Sequence, residues 1–283
     1  MIIPFLSILF SFIGNAEKIP SGIIHEVVGG ITMVTIPAGT FQMGHAYVYN
    51  PEESTNVNRY HRDEQPVHSV TLSAFQMSTT EITQGQYRAI MGKNPSSITG
   101  DDNLPVTNIG ANDALIFCNK LSEKEGLEPC YDNNTWLCDF TKNGFRLPTE
   151  AEWESACRAR TTTHFSSGES ESDLYRAGWY LASSGGKSHP VAQKEPNAWG
   201  LYDMHGNVFE FCYDGCDDGL FGFGYFPEKT TNPVNVSTFD YRIVRGGGWF
   251  SEPFSCRSAA RGMFWTGGGS SYIGFRVARS VGK

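Results

Sequence analysis

Alternating apolar and polar residues predict strands in the first part of the chain. The run GGITMVTIPAGT at 29–40 alternates and is interrupted by a turn at residues 37–39. The run VHSVTLSAF at 67–75 repeats the two-residue period of a half-buried strand. Residues 45–66, which lie between these runs, are polar and have no period. We therefore expect a surface loop there.

A helical period replaces the alternation in the second part of the chain. One predicted helix begins near Thr83 and ends at Gly92, a residue type that readily adopts the left-handed conformation of a helix C-terminus. A second extends from about Ala111 to Lys124, and Gly126 ends it. Apolar side chains recur at helical spacing in both, so each should pack one face on the core.

The third predicted helix has the clearest start. In RLPTEAEWESACRA (146–159), Thr149 and Glu152 have the spacing of a capping box, in which each side chain accepts a hydrogen bond from the other residue's backbone amide. Trp153 and Cys157 then share one face of the helix.

After Arg160 the chain changes character. Glycine, serine, asparagine and aromatic residues dominate, and only short strand-like runs remain, such as 241–244 and 273–278. No stretch there is long and periodic enough to predict a helix. Since no linker or internal repeat interrupts the chain, we expect one domain over residues 25–283.

The composition is that of a globular protein with irregular structure. The chain has 283 residues, of which 40% are hydrophobic and 18% charged, so it can bury a core. Its 31 glycines and an aromatic content of 13% favour loops packed around aromatic anchors over long helices. We predict an α+β fold with little regular secondary structure.

The charges and the N-terminal residues bear on location and partners. The formal net charge is −8 and the 22 lysines and arginines are scattered, so we expect no nucleic-acid or anionic-membrane partner. Residues 1–16 are apolar and uncharged, and Gly14 and Ala16 are small residues of the kind that a signal peptidase requires. We predict a signal peptide and an exported protein with no membrane span in the mature chain. A buried N-terminal strand is the alternative.

Seven cysteines suit an exported protein that contains disulfides, although the odd number leaves at least one thiol over. Cys130 and Cys138 flank a loop and could cross-link a hairpin, and Cys212 and Cys216 form the other close pair. The seven histidines are dispersed and no paired CxxC spacing occurs. A zinc site is therefore disfavoured.

Seven stretches of the sequence resemble one family, in the same order. They are IPAGTFQMG (36–44), TEITQGQYRAIM (80–91), PVTNIGANDALIFCNKLS (105–122), RLPTEAEWESACRA (146–159), NAWGLYDMHGNVFEF (197–211), VRGGGW (244–249) and IGFRVA (273–278). Together they resemble the formylglycine-generating enzyme (sulfatase-modifying factor) family over essentially the whole chain after the leader. The resemblance implies a variant of the C-type-lectin fold, with a few helices and long loops around a twisted antiparallel sheet.

The enzyme of that family oxidises a cysteine of a sulfatase and uses copper held by two thiolates, five residues apart. At the first of these positions this chain has Ser251, and Cys256 either matches the second or belongs to the strand CRSAAR (256–261). A hydroxyl does not act as a thiolate and does not suit copper(I). We expect a non-catalytic protein without copper, in which Cys256 is a core cysteine or a disulfide partner, for example of Cys157. A formylglycine-generating or related oxidase is the competing hypothesis.

The family also binds calcium in the segment that reads GLYDMHGNVFE here. The resemblance implies one structural calcium ion held by the side chains of Asp203 and Glu210 and the carbonyls of Gly206 and Val208. Calcium prefers such oxygen ligands. The alternative is that both carboxylates only cap turns. The family's second calcium site would need asparagine and aspartate at 177–184, which this chain lacks, so we expect one ion.

The segment FSEPFSCRSAARGMFWTGGGSSY at 250–272 mixes aromatic and polar residues. A strand cannot bury three successive side chains on one face, so at least one of Met263, Phe264 and Trp265 should project outward. We predict a ligand-binding surface formed by Phe250, Ser251, Glu252, Phe254, Met263, Phe264, Trp265, Thr266, Ser270, Ser271 and Tyr272.

This layout also resembles the variable proteins of diversity-generating retroelements, particularly the Treponema variable protein type. Such proteins display diversified residues near the C-terminus of the same lectin-like scaffold. The resemblance implies that the chain binds a protein or cell-surface ligand. Two alternatives remain open: a loop folded back on its own aromatic residues, and a lectin whose calcium holds sugar. No EPN or QPD sugar motif supports the second.

Overall fold

The computed structural model describes residues 25–46, 63–216, 230–236 and 240–281, which form three sheets and four α-helices. The strands are β1 (His25–Val28), β2 (Ile31–Ile36), β3 (Gly39–Met43), β4 (His68–Leu72), β5 (Phe75–Ser78), β6 (Phe145–Arg146), β7 (Phe209–Cys216), β8 (Tyr241–Arg245), β9 (Gly262–Trp265), β10 (Ile273–Gly274) and β11 (Ala278–Ser280). The helices are α1 (Gln84–Met91), α2 (Ala111–Lys124), α3 (Glu150–Arg158) and α4 (Glu171–Ala177), with a 3₁₀ turn at Pro253–Cys256. None of these helices is long and apolar enough to cross a membrane. The predicted signal peptide, residues 1–16, lies outside the described residues.

The five-stranded sheet joins the two ends of the described chain. Its order is β1-β2-β5-β11-β6, and all neighbouring strands are antiparallel. β5 lies in the middle with all four residues buried, because both of its faces are covered. β11 pairs with β5 so that Ala278 lies opposite Met77. The last strand therefore completes a sheet that begins at residue 25.

The four-stranded sheet carries the C-terminal segment. Its order is β10-β7-β8-β9, with β10 parallel to β7 and the other pairs antiparallel. β7 contains a bulge between Phe211 and Gly215, and extra residues at such a bulge increase the local twist. β3 and β4 pair with each other as a separate ribbon.

The three predicted helices are confirmed. The hydroxyl of Thr83 accepts a backbone amide of the first turn of α1 at 3.2 Å, and Gly92 ends this helix at φ 73°. α2 covers the predicted residues, Ala111–Lys124. At α3, the Glu152 carboxylate accepts from the Thr149 amide at 2.9 Å, and the Thr149 hydroxyl accepts from the Glu152 amide at 3.2 Å.

The prediction that no helix follows Arg160 is wrong. Helix α4 begins after Ser170, whose side chain forms a capping box with Asp173. Of its seven residues only Leu174 and Ala177 are buried. Two buried positions do not establish a period, so the hydrophobic pattern carried no signal, whereas the capping spacing S-x-x-D did.

Several strand boundaries also differ from the prediction. A turn divides the run 67–75 into β4 and β5, and a buried irregular segment divides 273–278 into β10 and β11. The prediction of a surface loop over residues 45–66 is wrong at its C-terminal end. Glu64 is fully buried there, and both its oxygens accept from Arg257, at 2.6 and 2.8 Å. Residues 47–62 lie outside the described residues.

Aromatic side chains anchor α1 and α2 to the core. The rings of Tyr87 and Phe117 stack with 5.5 Å between centroids and an interplanar angle of 3°. Phe275 meets Phe117 edge-on at 5.2 Å. These three rings join the helices to the irregular segment between β10 and β11.

A buried arginine fixes helix α3 against the four-stranded sheet. Arg245, in β8, is fully buried and donates to Glu150 at 2.9 Å and to Glu154 at 2.8 Å. Its remaining Nη1 donates to the carbonyls of Ser258 and Ala260 at 3.1 and 3.0 Å. The guanidinium therefore bridges two successive turns of the helix and the chain that leads into β9.

Two further ion pairs of α3 reach other parts of the fold. Glu152 binds Arg146, in β6 of the five-stranded sheet, in a bidentate pair at 2.6 and 2.7 Å. Glu154 accepts from Arg158 at 2.9 Å and from the Gly44 amide at 2.8 Å. Helix α3 is therefore attached to both large sheets and to the end of β3.

The charges of this network support one another. Burial alone would raise the pKa of Glu150, but Arg261 and Arg245 lower it below its ordinary value. A carboxylate whose pKa is lowered on folding stabilises the fold above its ordinary pKa and loses that contribution as the pH falls through the lowered pKa. We therefore expect the network to be intact at neutral pH and to fail in acid.

Replacing Arg245 with methionine should lower the free energy of unfolding by about 3–5 kcal/mol, because Glu150 and Glu154 would each lose one of two arginine partners. Two buried carbonyls would lose their donor as well. Urea unfolding at pH 7 measures the change. The matched control is Arg88→Met, which removes an ion pair with Asp102 whose side chains are exposed and should change stability little. Equal effects of the two variants would contradict the role assigned to Arg245.

Candidate functional site

The two segments that supply the predicted binding residues meet at one face of the four-stranded sheet. The ring of Phe250 lies 4.6 Å from that of Tyr272 between centroids, and Tyr272 lies 6.1 Å from Phe264. Phe250 follows β8, whereas Phe264 and Tyr272 belong to the segment from β9 to β10. The fold thus brings together side chains that are separated in sequence.

Two further rings complete this cluster and were not in the predicted set. Phe209, the first residue of β7, lies 6.3 Å from Phe250 and 6.5 Å from Tyr272. Trp249 lies 5.3 Å from Phe250. We refer to Phe209, Trp249, Phe250, Phe264 and Tyr272 as the aromatic surface. The sequence alternation Phe-Glu-Phe at 209–211 was the available signal for Phe209, which is half-buried, whereas the rest of β7 is buried.

Trp265 projects from the end of β9 and is 52% exposed. Its indole covers a glycine turn: an added Cβ at Gly267 would lie 2.8 Å from the ring, and one at Gly268 2.9 Å. Real Cβ atoms essentially never approach so closely. These glycines therefore provide room for the indole, in addition to the loop freedom that glycine offers.

Backbone hydrogen bonds hold the loop between β9 and β10 against the start of α2. The carbonyl of Thr266 accepts from the Ala111 amide at 3.0 Å, and that of Ser270 accepts from the Asn108 amide at 2.9 Å. The Tyr272 carbonyl accepts from the Phe209 amide at 2.9 Å. The loop is thus fixed through its main chain, which leaves its side chains available.

Ser251 does not belong to an exposed surface, and its inclusion in the predicted set is wrong in this respect. It is 5% exposed, and its hydroxyl accepts from the Gly248 amide at 2.9 Å. Its carbonyl accepts from the Leu181 amide at 3.0 Å. Met263 points away from the aromatic surface, since it pairs with Ile243 of β8 and packs against the buried side chains around Trp153.

The remaining predicted residues differ in exposure and in hydrogen bonding. Glu252 is exposed, and Ser270 is half-buried. Ser271 accepts a hydrogen bond from the indole of Trp249 through its carbonyl at 3.4 Å. Phe254 lies in the 3₁₀ turn, where its carbonyl accepts from Arg257 at 2.9 Å.

Ser251 and Cys256, the residues considered for the family's copper-ligand positions, are both buried. Cys256 is fully buried, and burial raises the pKa of its thiol above the ordinary value. A Cβ at Gly247 would lie 2.6 Å from its sulfur. Together with the hydrogen-bonded hydroxyl at Ser251, this arrangement offers no exposed thiolate at the family's catalytic position.

The predicted calcium ligands are buried, but they differ in what they already bind. Both oxygens of Glu210 accept from Arg276 at 2.6 Å, and one also accepts from the Trp153 indole at 2.7 Å. Asp203, at φ 58°, accepts from the Ala192 amide at 2.8 Å through Oδ2, whereas its buried Oδ1 has no hydrogen-bond partner. Asp203 therefore fits a cation ligand, whereas Glu210 is held mainly by Arg276.

A third buried carboxyl, Glu81, lies in the same electrostatic environment. Its Oε2 accepts from the Asn207 side chain at 3.3 Å, and its Oε1 has no hydrogen-bond partner. Burial and the charges of Asp203 and Glu210 raise the pKa of Glu81 well above its ordinary value. Burial is also the main cause that raises the pKa of Asp203 to about 6.

This acidic cluster holds three carboxyls beside one guanidinium, that of Arg276, so it carries excess negative charge when ionised. Within the described residues, no three acidic, histidine or cysteine side chains converge as ligands of one ion. A bound cation would consequently rest on Asp203 and on backbone carbonyls such as those of Gly206 and Val208. The sequence motif does not include Glu81, since that residue lies more than a hundred positions earlier.

A separate cavity of about 520 Å³ lies at the far end of the five-stranded sheet. Its wall combines apolar residues such as Leu72 and Phe140 with the Arg146–Glu152 ion pair. None of the predicted binding residues lines it. The aromatic surface and this cavity are therefore distinct features.

The motif resemblance is confirmed by comparison with known proteins. Residues 26–281 match the family model of the sulfatase-modifying factor enzyme 1-like domain. Chaperone protein LppX of Paenibacillus barcinonensis is 32% identical over 248 residues, which cover 75% of this chain and 82% of that protein. The formylglycine-generating enzyme of Streptomyces coelicolor is 25% identical over 306 aligned positions, which cover 88% of this chain and 89% of the enzyme.

A solved structure agrees with the fold. Treponema denticola variable protein 1 superposes with a TM-score of 0.76 at 32% identity, covering 92% of this chain and 99% of that one. Its similarity supports the predicted α+β, C-type-lectin-like architecture with little regular secondary structure. With a family model that spans nearly all described residues, the chain belongs to the sulfatase-modifying factor enzyme 1-like domain family.

Proposed function

We propose that this chain is an exported, non-catalytic binding protein whose aromatic surface contacts a protein or cell-surface ligand. The observation that carries the proposal is the convergence of aromatic side chains from separate segments on one face, where Phe250 is 40% exposed. Similarity to Treponema denticola variable protein 1 supports a scaffold that presents side chains. Export rests on the apolar residues 1–16.

The physical chemistry of the surface favours recognition. Aromatic side chains remove large apolar areas from water with little loss of rotamer entropy, and they are enriched among the residues that dominate binding energy. Here they stand on a main chain fixed by hydrogen bonds to Asn108, Ala111 and Phe209. Little ordering should be required on binding, which increases affinity for a given contact area.

A formylglycine-generating oxidase is the second candidate, and similarity to the Streptomyces coelicolor enzyme favours it. That chemistry needs two thiolates that bind copper(I). With a hydrogen-bonded Ser251 in one position and a buried Cys256 near the other, this chain lacks the pair. We therefore propose that no copper is used.

We further propose one structural calcium ion at Asp203, with carbonyl oxygens of the Gly206–Val208 turn as additional ligands. The support is the unpartnered buried Oδ1 of Asp203 in a cluster with excess negative charge. When bound, calcium would supply the positive charge that this cluster lacks and would tie the turn to the fold. The ion is not expected to contact the ligand.

Replacing Phe250 with alanine should weaken ligand binding about thirtyfold, or on the order of 2 kcal/mol, and leave Tm nearly unchanged because the side chain is exposed. The ligand is first selected with wild-type protein from immobilised extracellular proteins and glycans, and dissociation constants are then measured. The matched control is Tyr175→Ala, which removes an exposed ring on helix α4. Unchanged affinity for Phe250→Ala, or an equal loss for Tyr175→Ala, would refute the assignment of the surface.

Incubation with copper, oxygen and a sulfatase peptide should leave the peptide cysteine unmodified, since the chain lacks the thiolate pair. Mass spectrometry of the peptide measures this, and the Streptomyces coelicolor enzyme is the positive control. Formation of formylglycine would establish the second candidate instead. Turnover that persisted in Cys256→Ser would show that the thiol requirement itself is misjudged.

Calcium should raise the Tm of metal-stripped protein by several degrees, since a ligand that binds only the folded state stabilises it. Asp203→Asn should abolish that increase, and in chelator it should be at least as stable as wild type because it removes an unpaired buried charge. Asp139→Asn, at an exposed position, is the control and should retain the response. The same Tm with calcium and with chelator would exclude the site.

A further inference from the structure

Cys130 and Cys138 lie on opposite sides of a narrow hairpin. Tyr131 and Cys138 form an antiparallel bridge, and the Asp139 amide donates to the Cys130 carbonyl at 2.9 Å. At the tip, the Asp132 carboxylate accepts from the Thr135 amide at 2.8 Å and so fixes the turn. The hairpin is therefore held in shape by the main chain before any covalent link forms.

The two thiols also interact with one another. A hydrogen bond from the Cys138 side chain is the main cause that lowers the pKa of Cys130, and it outweighs burial. The nearby guanidinium of Arg146 lowers that pKa further. Cys130 also lies 3.3 Å from the Gly144 carbonyl, which positions its sulfur. The chain thus places two hydrogen-bonded thiols side by side, and the pKa of one of them is lowered.

Accessibility distinguishes this pair from the other cysteines. Cys138 is the one cysteine of the seven that is not buried. Both members of the other close pair, Cys212 and Cys216, are buried in β7. The sulfur of Cys157 lies 3.7 Å from Nε2 of His205. Cys157 packs with the buried side chains around Trp153, whereas Cys256 packs with those around Tyr180. A soluble oxidant can therefore enter at Cys138 and not at the others.

We propose that Cys130 and Cys138 form the disulfide bond of this protein and so close the loop of residues 131–137. A small disulfide such as oxidised glutathione is the oxidant. The Cys138 thiol gives its proton to the hydrogen-bonded Cys130 thiolate as its sulfur attacks the oxidant, which forms a mixed disulfide and releases one glutathione thiolate. The released thiolate takes up the proton from Cys130, and the Cys130 thiolate then attacks the Cys138 sulfur and displaces the second glutathione. Two protein thiols are oxidised, the oxidant is reduced to two thiols, and the two protons pass to them.

The link would fix the hairpin onto the four-stranded sheet. The hydroxyl of Tyr213, in β7, accepts from the Cys138 amide at 2.9 Å and donates to the Trp136 carbonyl at 3.2 Å. The exposed side chain of Leu137 lies between these two contacts in sequence. A disulfide reduces the conformational freedom of the unfolded chain, so the folded hairpin gains stability.

The test uses the full chain, reduced and then exposed to excess oxidised glutathione at about pH 8, close to the ordinary pKa of a thiol. The protein is alkylated in denaturant and digested with trypsin. Cleavage after Lys124 and Lys142 places both cysteines, and no other, in one peptide. This peptide should lose two hydrogens and carry no alkyl group, and reductant should restore two alkylation sites. Oxidised protein should melt several degrees above reduced protein.

Cys138→Ser should remove the resistance to alkylation and the difference in Tm between oxidising and reducing conditions. Cys118→Ser, which changes a buried cysteine on α2, is the control and should leave the peptide oxidised. Two alkyl groups on the wild-type peptide after oxidation, or loss of hydrogens only in the peptide with Cys212 and Cys216, would overturn the proposal. Because the wild-type peptide decides the result, a variant that fails to fold does not affect it.

Discussion

The buried guanidinium of Arg245 is the interaction on which the rest of the arrangement depends. It sits between Glu150 and Glu154 and also binds two carbonyls of the chain that leads into β9. One side chain therefore sets the position of helix α3 relative to β8 and to the start of the C-terminal segment. A buried ion pair is favourable only when each partner is fully hydrogen-bonded. The geometry meets that condition and tolerates little displacement.

That constraint extends to the aromatic surface. Gly246, Gly247 and Gly248 follow Arg245 directly and carry the chain to Trp249 and Phe250. Gly246 lies against Trp153 of α3, where an added Cβ would be 3.3 Å from the ring, and Gly247 lies against Cys256. The half-buried Trp249 and the exposed Phe250 are thus only a few residues from a charged, tightly packed interior. Their positions are determined by that interior and do not depend on contacts among the rings alone.

Local signals in the sequence were sufficient for much of the fold. The caps at Thr83 and Thr149 fix helix starts through neighbouring residues, so pattern alone located α1 and α3. The lectin-like architecture was predicted from the resemblance of the seven motifs to the family. The composition alone did not distinguish that fold from other irregular folds. Helix α4 was missed because a seven-residue helix with two buried positions has no measurable period.

The candidate site was predictable only in part. The adjacency of Met263, Phe264 and Trp265 correctly indicated an outward side chain, since Trp265 is exposed. Glu81 joins Asp203 from a segment far away in the chain, and such a contact has no local pattern. Ser251 was wrongly predicted to lie on an exposed surface, because its hydroxyl accepts from the Gly248 amide within the turn. The motif showed only that a serine replaces the family's cysteine, and it carried no information about this hydrogen bond.

The attachment of the loop between β9 and β10 has a consequence for how this protein can evolve. Its hydrogen bonds to α2 run from backbone to backbone, and at Gly110 and Gly269 an added Cβ would meet main-chain atoms at 2.6 and 2.5 Å. Substitutions at the other positions of the loop between β9 and β10 change side chains only and leave those bonds intact. Any side chain at Gly110 or Gly269 would displace the loop. The loop can therefore accept many side chains at constant length, and natural variation should be dense at its exposed positions and nearly absent at these two glycines.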